Sequence, residues 1–180
     1  MYNPQEPVTS TKKTIVDWLR QNNSLAYVEI IENHPSKDAN TPDLPLKKPL
    51  ISFGRSQTIP QTMAFNNYLG EAYQDGVTTE REGKILNINF DIHLWNGIAK
   101  NMGGEREVER LEEKLFQIFE LEQWPDHIQY ENFRSGDIMR DPHAPVFHQK
   151  CRLTVLVLIY KDTSGQEFEQ FNVKGSVINE

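Results

Sequence analysis

Between Leu86 and Leu94 the sequence alternates without interruption. Leu86, Ile88, Phe90, Ile92 and Leu94 take the even positions, and Asn87, Asn89, Asp91 and His93 the odd ones. Successive side chains of an extended strand point to opposite sides, so five apolar groups share one face and four polar groups the other. Such a strand belongs in a sheet with one face in a core and the other wet or at an interface. After Gly103-Gly104 the period changes. Val108, Leu111, Leu115, Ile118 and Phe119 form an apolar stripe of helical spacing over 105–121, and Glu105 and Glu107 suit the positive end of that helix. A half-buried strand feeding an amphipathic helix points to the α+β class.

The remaining elements follow from similar signals. Ser10 or Thr11 can cap a first helix in which Ile15, Trp18 and Leu19 recur at i, i+3 and i+4. Asn22-Asn23 should end it, because amide side chains compete with the backbone ladder. Leu25 to Ile31 reads as a strand. Asn33 to Pro49, with Pro35, Pro42, Pro45 and Pro49, reads as a loop. Leu50 to Phe53 is a short apolar strand closed by Gly54. The stretch 55–83 is long for a structureless loop and is expected to form a projecting arm or hairpin, turning at Gln74-Asp75-Gly76. Beyond Pro125, Ile128 to Phe133 is a short strand and 136–145 a loop. Arg152 to Tyr160 is apolar on both faces, the pattern of a central strand covered on both sides. Gln166 to Glu180 reads as an edge strand or arm. The expected whole is one domain, 1–180, with a core at about 11–161 and a C-terminal extension at 162–180. Its architecture is a mixed or antiparallel sheet of about four to six strands packed against two amphipathic helices.

Composition removes several classes of function. The net charge is −7, with 26 acidic against 19 basic residues, whereas a general nucleic-acid binder needs a dense positive footprint. A single cysteine, Cys151, excludes an intrachain disulfide framework, and its place at the head of an apolar strand favours a buried thiol. The polar stretch from Met1 to Thr11 lacks the apolar core of a signal peptide, and the longest apolar run, Val155 to Tyr160, is too short to span a bilayer. A cytoplasmic protein with no membrane contact is expected.

No chemistry-bearing motif stands out. There is no GxSxG elbow, no GxxxxGK[ST] loop, no GxGxxG turn and no HExxH pair, so no cofactor is implied. Glu105 and Glu107 would repel phosphate from the helix that follows Gly103-Gly104. The densest polar cluster is Asp137, Asp141, His143 and His148. It could build a metal or acid–base site, yet Gly-Asp and Asp-Pro are also ordinary turn chemistry. Arg134, Arg140, Lys150 and Arg152 form the only local basic density, read as a solvated, salt-bridged loop before a DNA contact. Trp95, Phe133 and Phe147 fall at strand ends or in loops, where an aromatic serves either the core or an oligomer contact. The candidate interface residues are therefore Asn87, Asn89, Asp91, His93, Trp95, Phe133, Arg134, Arg140, Phe147 and Phe171.

The segments TIVDWLRQ, LAYVEII, KPLISFG, ILNINFDIHLW, EREVERLEEKLFQIFE and CRLTVLVLIY succeed one another as helix, strand, strand, long strand, helix and strand. In this order the chain resembles, over about residues 11–161, the tail-terminator (tail-completion) proteins of tailed bacteriophages and related contractile machines. The resemblance lies in element order and pattern and includes no diagnostic motif. It implies a virion protein of the tail or neck, assembled in the host cytoplasm as a ring, expected to be a hexamer. Its implied partners are copies of itself, the tail tube protein, a neck or head-completion protein and, in a contractile tail, the sheath protein. DNA would pass through the lumen without specific binding, and the resemblance implies no enzyme activity and no cofactor. Another neck or baseplate adaptor subunit, or a small metal-dependent enzyme using the 137–148 cluster, are the alternatives.

Overall fold

Helix α1 spans Pro7–Gln21. It begins before Ser10 and Thr11, the expected caps, because Pro7 takes its first turn, where a fixed φ and a missing N–H are no loss. Thr11 is instead a buried helical residue beside Ile15, Val16 and Leu19. The computed structural model describes residues 6–33, 46–54, 57–62, 68–74, 77–142 and 144–164. The expected loop at 33–49 is described only at its ends, and Phe171 and all of 166–180 lie outside the described residues.

After α1 the side-chain oxygen of Asn22 accepts from the Ser24 N–H at 2.9 Å and caps a short 3-10 turn, Asn23–Leu25. That turn uses up the first part of the expected strand and drives Leu25 into the core. Strand β1 is consequently only Glu29–Ile31. The other strands are β2, Leu50–Phe53; β3, Thr58–Thr62; β4, Tyr68–Gln74; β5, Val77–Gly97; β6, Ile128–Arg140; and β7, Val146–Ser164. Helix α2, Glu105–Leu121, lies between β5 and β6. The protein is α+β, with two α-helices and a mixed sheet among the described residues.

The chain forms two compact units. The first is drawn from Met1–Gln61 and Ile85–Ile159, the second from Thr62–Lys84 and Tyr160–Glu180. In the first, the strand order is β1-β2-β5-β7-β6, and β3 pairs with β5. β1 runs parallel to β2, and β2 antiparallel to β5 with Leu50 opposite Trp95 and Ser52 opposite His93. β6 and β7 are antiparallel, and their register shifts between Tyr130 and Asn132 and between Ser135 and Ile138. Through the second irregularity β6 continues to Arg140, so the first half of the loop expected at 136–145 is strand. The bulge explains the signal that misleads: Gly136 is needed there, since a Cβ would come within 3.0 Å of the Lys150 carbonyl. In the second unit β4 pairs with the start of β5, Gln74 opposite Val77 and Tyr68 opposite Glu82. This is the hairpin expected about residues 74–76.

Both helices contribute to one core on one face of the first unit's sheet. It joins Ile15, Val16 and Leu19 of α1, the apolar stripe of α2, Leu86, Ile88, Phe90, Ile92 and Leu94 of β5, and Cys151, Leu153, Val155 and Val157 of β7. At its end Phe119 stacks near Trp18 at 6.2 Å, Trp124 at 5.4 Å and, edge-on, Phe133 at 5.2 Å. The expectation that β7 is covered on both sides is corrected. Its even residues Thr154 and Leu156 are only half-buried and Leu158 is exposed, because both helices lie on the odd side.

The connection from β5 to α2 is fixed by one buried amide. Asn96 Nδ2 donates to the carbonyls of Met102 at 2.7 Å and Gly104 at 2.8 Å. Gly103 and Gly104 have φ of +78° and +58°, which side-chain-bearing residues rarely adopt.

Replacing Phe119 by alanine should lower unfolding free energy by about 3–5 kcal/mol in urea denaturation, since it removes a fully enclosed ring. Gln123→Ala, an exposed change two residues beyond α2, should stay within about 0.5 kcal/mol.

Candidate functional site

The pleat decides which side chains of β5, β6 and β7 face away from the helices. They are the odd residues 87–93 of β5, the even residues 148–158 of β7, and those residues of β6 that stand opposite even β7 positions. No helix among the described residues covers this face. Polar bonds lace its strands together. Thr154 Oγ1 donates to Asn89 Oδ1 at 2.8 Å, and Asn87 Nδ2 to Glu131 Oε2 at 2.9 Å. Asp91 accepts two cations, Lys150 Nζ at 2.8 Å and Arg152 Nε at 3.3 Å.

At the end of the face near β2, rings replace ions. His93 Nδ1 and His148 Nε2 share a hydrogen bond of 2.8 Å, and the rings lie nearly parallel, 7° apart. One imidazole must donate and the other accept, so the bond requires at least one neutral ring. Trp95 stacks on His148 at 3.9 Å between centroids, and its indole N–H donates to Ser52 Oγ at 3.1 Å. Ala144 and Val146 close over Trp95 and Leu50 as a second small apolar cluster.

This geometry sorts the candidate residues. Asn87, Asn89, Asp91 and His93 do share one half-buried face, but their side chains are engaged within the chain. Trp95, only 1% exposed, and Phe133 are core residues and have no free surface to offer a partner. Parity put Trp95 on the polar face, and the 144–146 segment then buries it. Phe147 is half-buried against the main core. Arg134 and Arg140 are exposed. Arg134 lies on the uncovered face, directly opposite Arg152, whereas Arg140 stands opposite Phe147 at the far end of β6.

The 137–148 cluster is not brought together by what is described. Asp137 is exposed, Asp141 accepts from the Ala144 N–H at 3.1 Å, His148 is turned to His93, and His143 lies outside the described residues. Among the described residues no three His, Cys, Asp or Glu side chains are placed to hold a metal ion.

Three acidic hydrogens are held more tightly than usual. Burial, with the charge of Glu112 adding to it, pushes the Cys151 thiol up to about 12. Partial burial and a 2.6 Å hydrogen bond to Glu107 raise the Tyr27 phenol to about 12, and partial burial with a bond to Glu120 does the same for Tyr130. The two phenols tie α2 to its surroundings, and the thiol is buried in the core.

Two surface features were missed by reading the chain. Phe116 and Leu121 of α2 are 51% and 80% exposed, and Met139 of β6 is 56% exposed. The helical period could have flagged Phe116, which follows Leu115 and so falls off the apolar stripe.

No family model matches the chain, and no curated protein is significantly similar to it. No helix among the described residues is long and apolar enough to cross a membrane.

Two outcomes test this geometry. His148→Ala removes both the shared hydrogen bond and the ring against Trp95, and should lower stability by about 1–3 kcal/mol in urea denaturation. Cys151 should react with a disulfide reagent at pH 8 far more slowly in the folded than in the denatured protein, because the thiolate is the attacking form. Its raised pKa favours the fold below the unfolded thiol's range, and that contribution is lost as pH rises toward about 12.

Proposed function

We propose that the chain is a structural subunit that assembles with copies of itself into a ring, closes the end of a bacteriophage tail tube and joins the tail to the neck. The observation that carries this reading is the one-sided sheet. α1 and α2 cover one face of the first unit's sheet, while the other face is bounded by short polar bonds and holds exposed cations and Met139. A subunit of this form has two chemically different sides, and such sides support head-to-tail contacts that close into a ring.

The hairpin and the long β5 strand ahead of a glutamate-rich helix are consistent with the element order on which the tail-terminator resemblance rests. The partners on this reading are copies of the chain, the tail tube protein, a neck protein and, in a contractile tail, the sheath. The acidic net charge of −7 suits a lumen through which DNA slides without sticking. The role is geometric and includes no catalytic step.

The test is electron microscopy and native mass spectrometry of the purified chain, joined to immunogold labelling of the particle. Closed rings, expected to hold six copies, and label at the head-proximal end of the tail are the expected results. A strict monomer at high protein concentration would remove the reading, and label at the opposite end would replace it with a baseplate adaptor.

A further inference from the structure

The two sides of the first unit differ in their exposed charge, and each frames exposed apolar side chains. On the outer surface of α2, Glu109, Glu113, Phe116 and Glu120 follow one another at helical spacing, with Leu121 beside them. Glu109, Glu113, Glu120 and both apolar side chains are exposed. Glu120 accepts a hydrogen bond from the Tyr130 hydroxyl at 2.5 Å, while Glu109 and Glu113 have no ion-pair partner among the described residues. Of the cations of this helix, Arg106 and Arg110 lie nearer its N-terminus, Arg110 being matched by Glu107 at 3.8 Å, and Lys114 is turned aside to the Ser24 carbonyl at 2.7 Å and the Tyr27 ring. The C-terminal half is thus an acidic patch with an aromatic centre.

The uncovered sheet face is its complement. Arg134 stands directly opposite Arg152 across the β6–β7 ladder, a like-charge pairing that is unfavourable unless an anion comes between. Lys150 is on the same face; among the described residues the only acid bonded to these cations is Asp91, shared by Lys150 and Arg152, while Glu131 takes the Asn87 amide. Arg134 has no ion-pair partner among the described residues. Met139, opposite His148, adds an exposed flexible apolar contact to the same surface.

We infer that the outer stripe of α2 in one copy of this chain docks on the uncovered β6–β7 face of the next. Phe116 and Leu121 are set against Met139, and Glu113 and its neighbours between Arg134 and Arg152. The occupant is a second copy because this chain itself supplies both the acidic apolar patch and the basic apolar patch. The patches lie on opposite sides of one sheet, so a single partner cannot satisfy both in a twofold dimer, and the contact is heterologous. This rests on the self-assembly proposed above and assigns the surfaces that make it.

The experiment uses the full chain and two surface variants whose substitutions remove no contact of the core. One changes the helix side, Glu113→Ala with Phe116→Arg; the other changes the sheet side, Arg134→Glu with Met139→Glu. Association is measured by light scattering coupled to size exclusion and by sedimentation velocity, and circular dichroism confirms that each variant is folded. The wild-type chain should self-associate, with weaker association as salt is raised. Each variant alone should lose about a hundredfold in association constant, because like charges then meet. An equimolar mixture of the two should associate again, since each retains the face that the other needs. Wild-type oligomers that survive in both variants would overturn this surface assignment and leave the ring intact. A mixture that stays monomeric while the wild type assembles would overturn the head-to-tail pairing. A monomeric wild type would overturn both the ring and the interface.

Discussion

The interlocking of one pleat face with two helical stripes is the constraint on which the first unit depends. Leu86 to Leu94 of β5 and Cys151 to Val157 of β7 present their buried side chains at a period of two, and α2 presents Val108 to Phe119 at a period near 3.6. Once these surfaces meet, register is no longer free: a slip of one residue would turn Asn89 and Asp91 into the core and Phe90 out of it. The position of α2, the burial of Cys151 and the direction of the polar face all follow from that fit.

The polar face is then largely settled by its own cross-strand bonds. Asp91 holds Lys150 and Arg152, Asn89 holds Thr154, and the two histidines hold each other beneath Trp95. A surface organised in this way is rigid without helical cover, so what it still exposes stands out. That remainder includes Arg134 and Met139 beside Glu131, in a chain whose total charge is negative. The same asymmetry that makes the sheet one-sided gives the first unit two chemically different sides.

Periodic segments were legible in the sequence because a period is a local property. Strand β2, the core of β5, the stripe of α2 and the hairpin pairing across 75–76 could all be read from a few neighbouring residues. Features that depend on distant packing were not. Trp95 has the parity of the polar face and is buried by Ala144 and Val146, which are far from it along the chain. Gly136 looks like the start of a loop and is instead the small residue of a bulge that lets β6 run on to Arg140. Pro7 moved the start of α1, and Asn22 shortened β1 by capping a turn of its own. Of the candidate interface residues, those with side chains bonded inside the face were correctly placed together. Met139 could be recognised as exposed only once the β6–β7 register was known.

A small contact at the margin bears on how such a molecule can grow into something larger. Arg20 of α1 reaches over the short strand β1 and donates from Nε and Nη2 to the Ile30 carbonyl, at 3.1 and 2.8 Å. That carbonyl belongs to the outermost strand of the ladder, and a guanidinium now occupies the acceptor that an incoming backbone would seek. Lateral accretion, the route by which open sheets run on into fibrils, meets a stopper on this flank of the ladder.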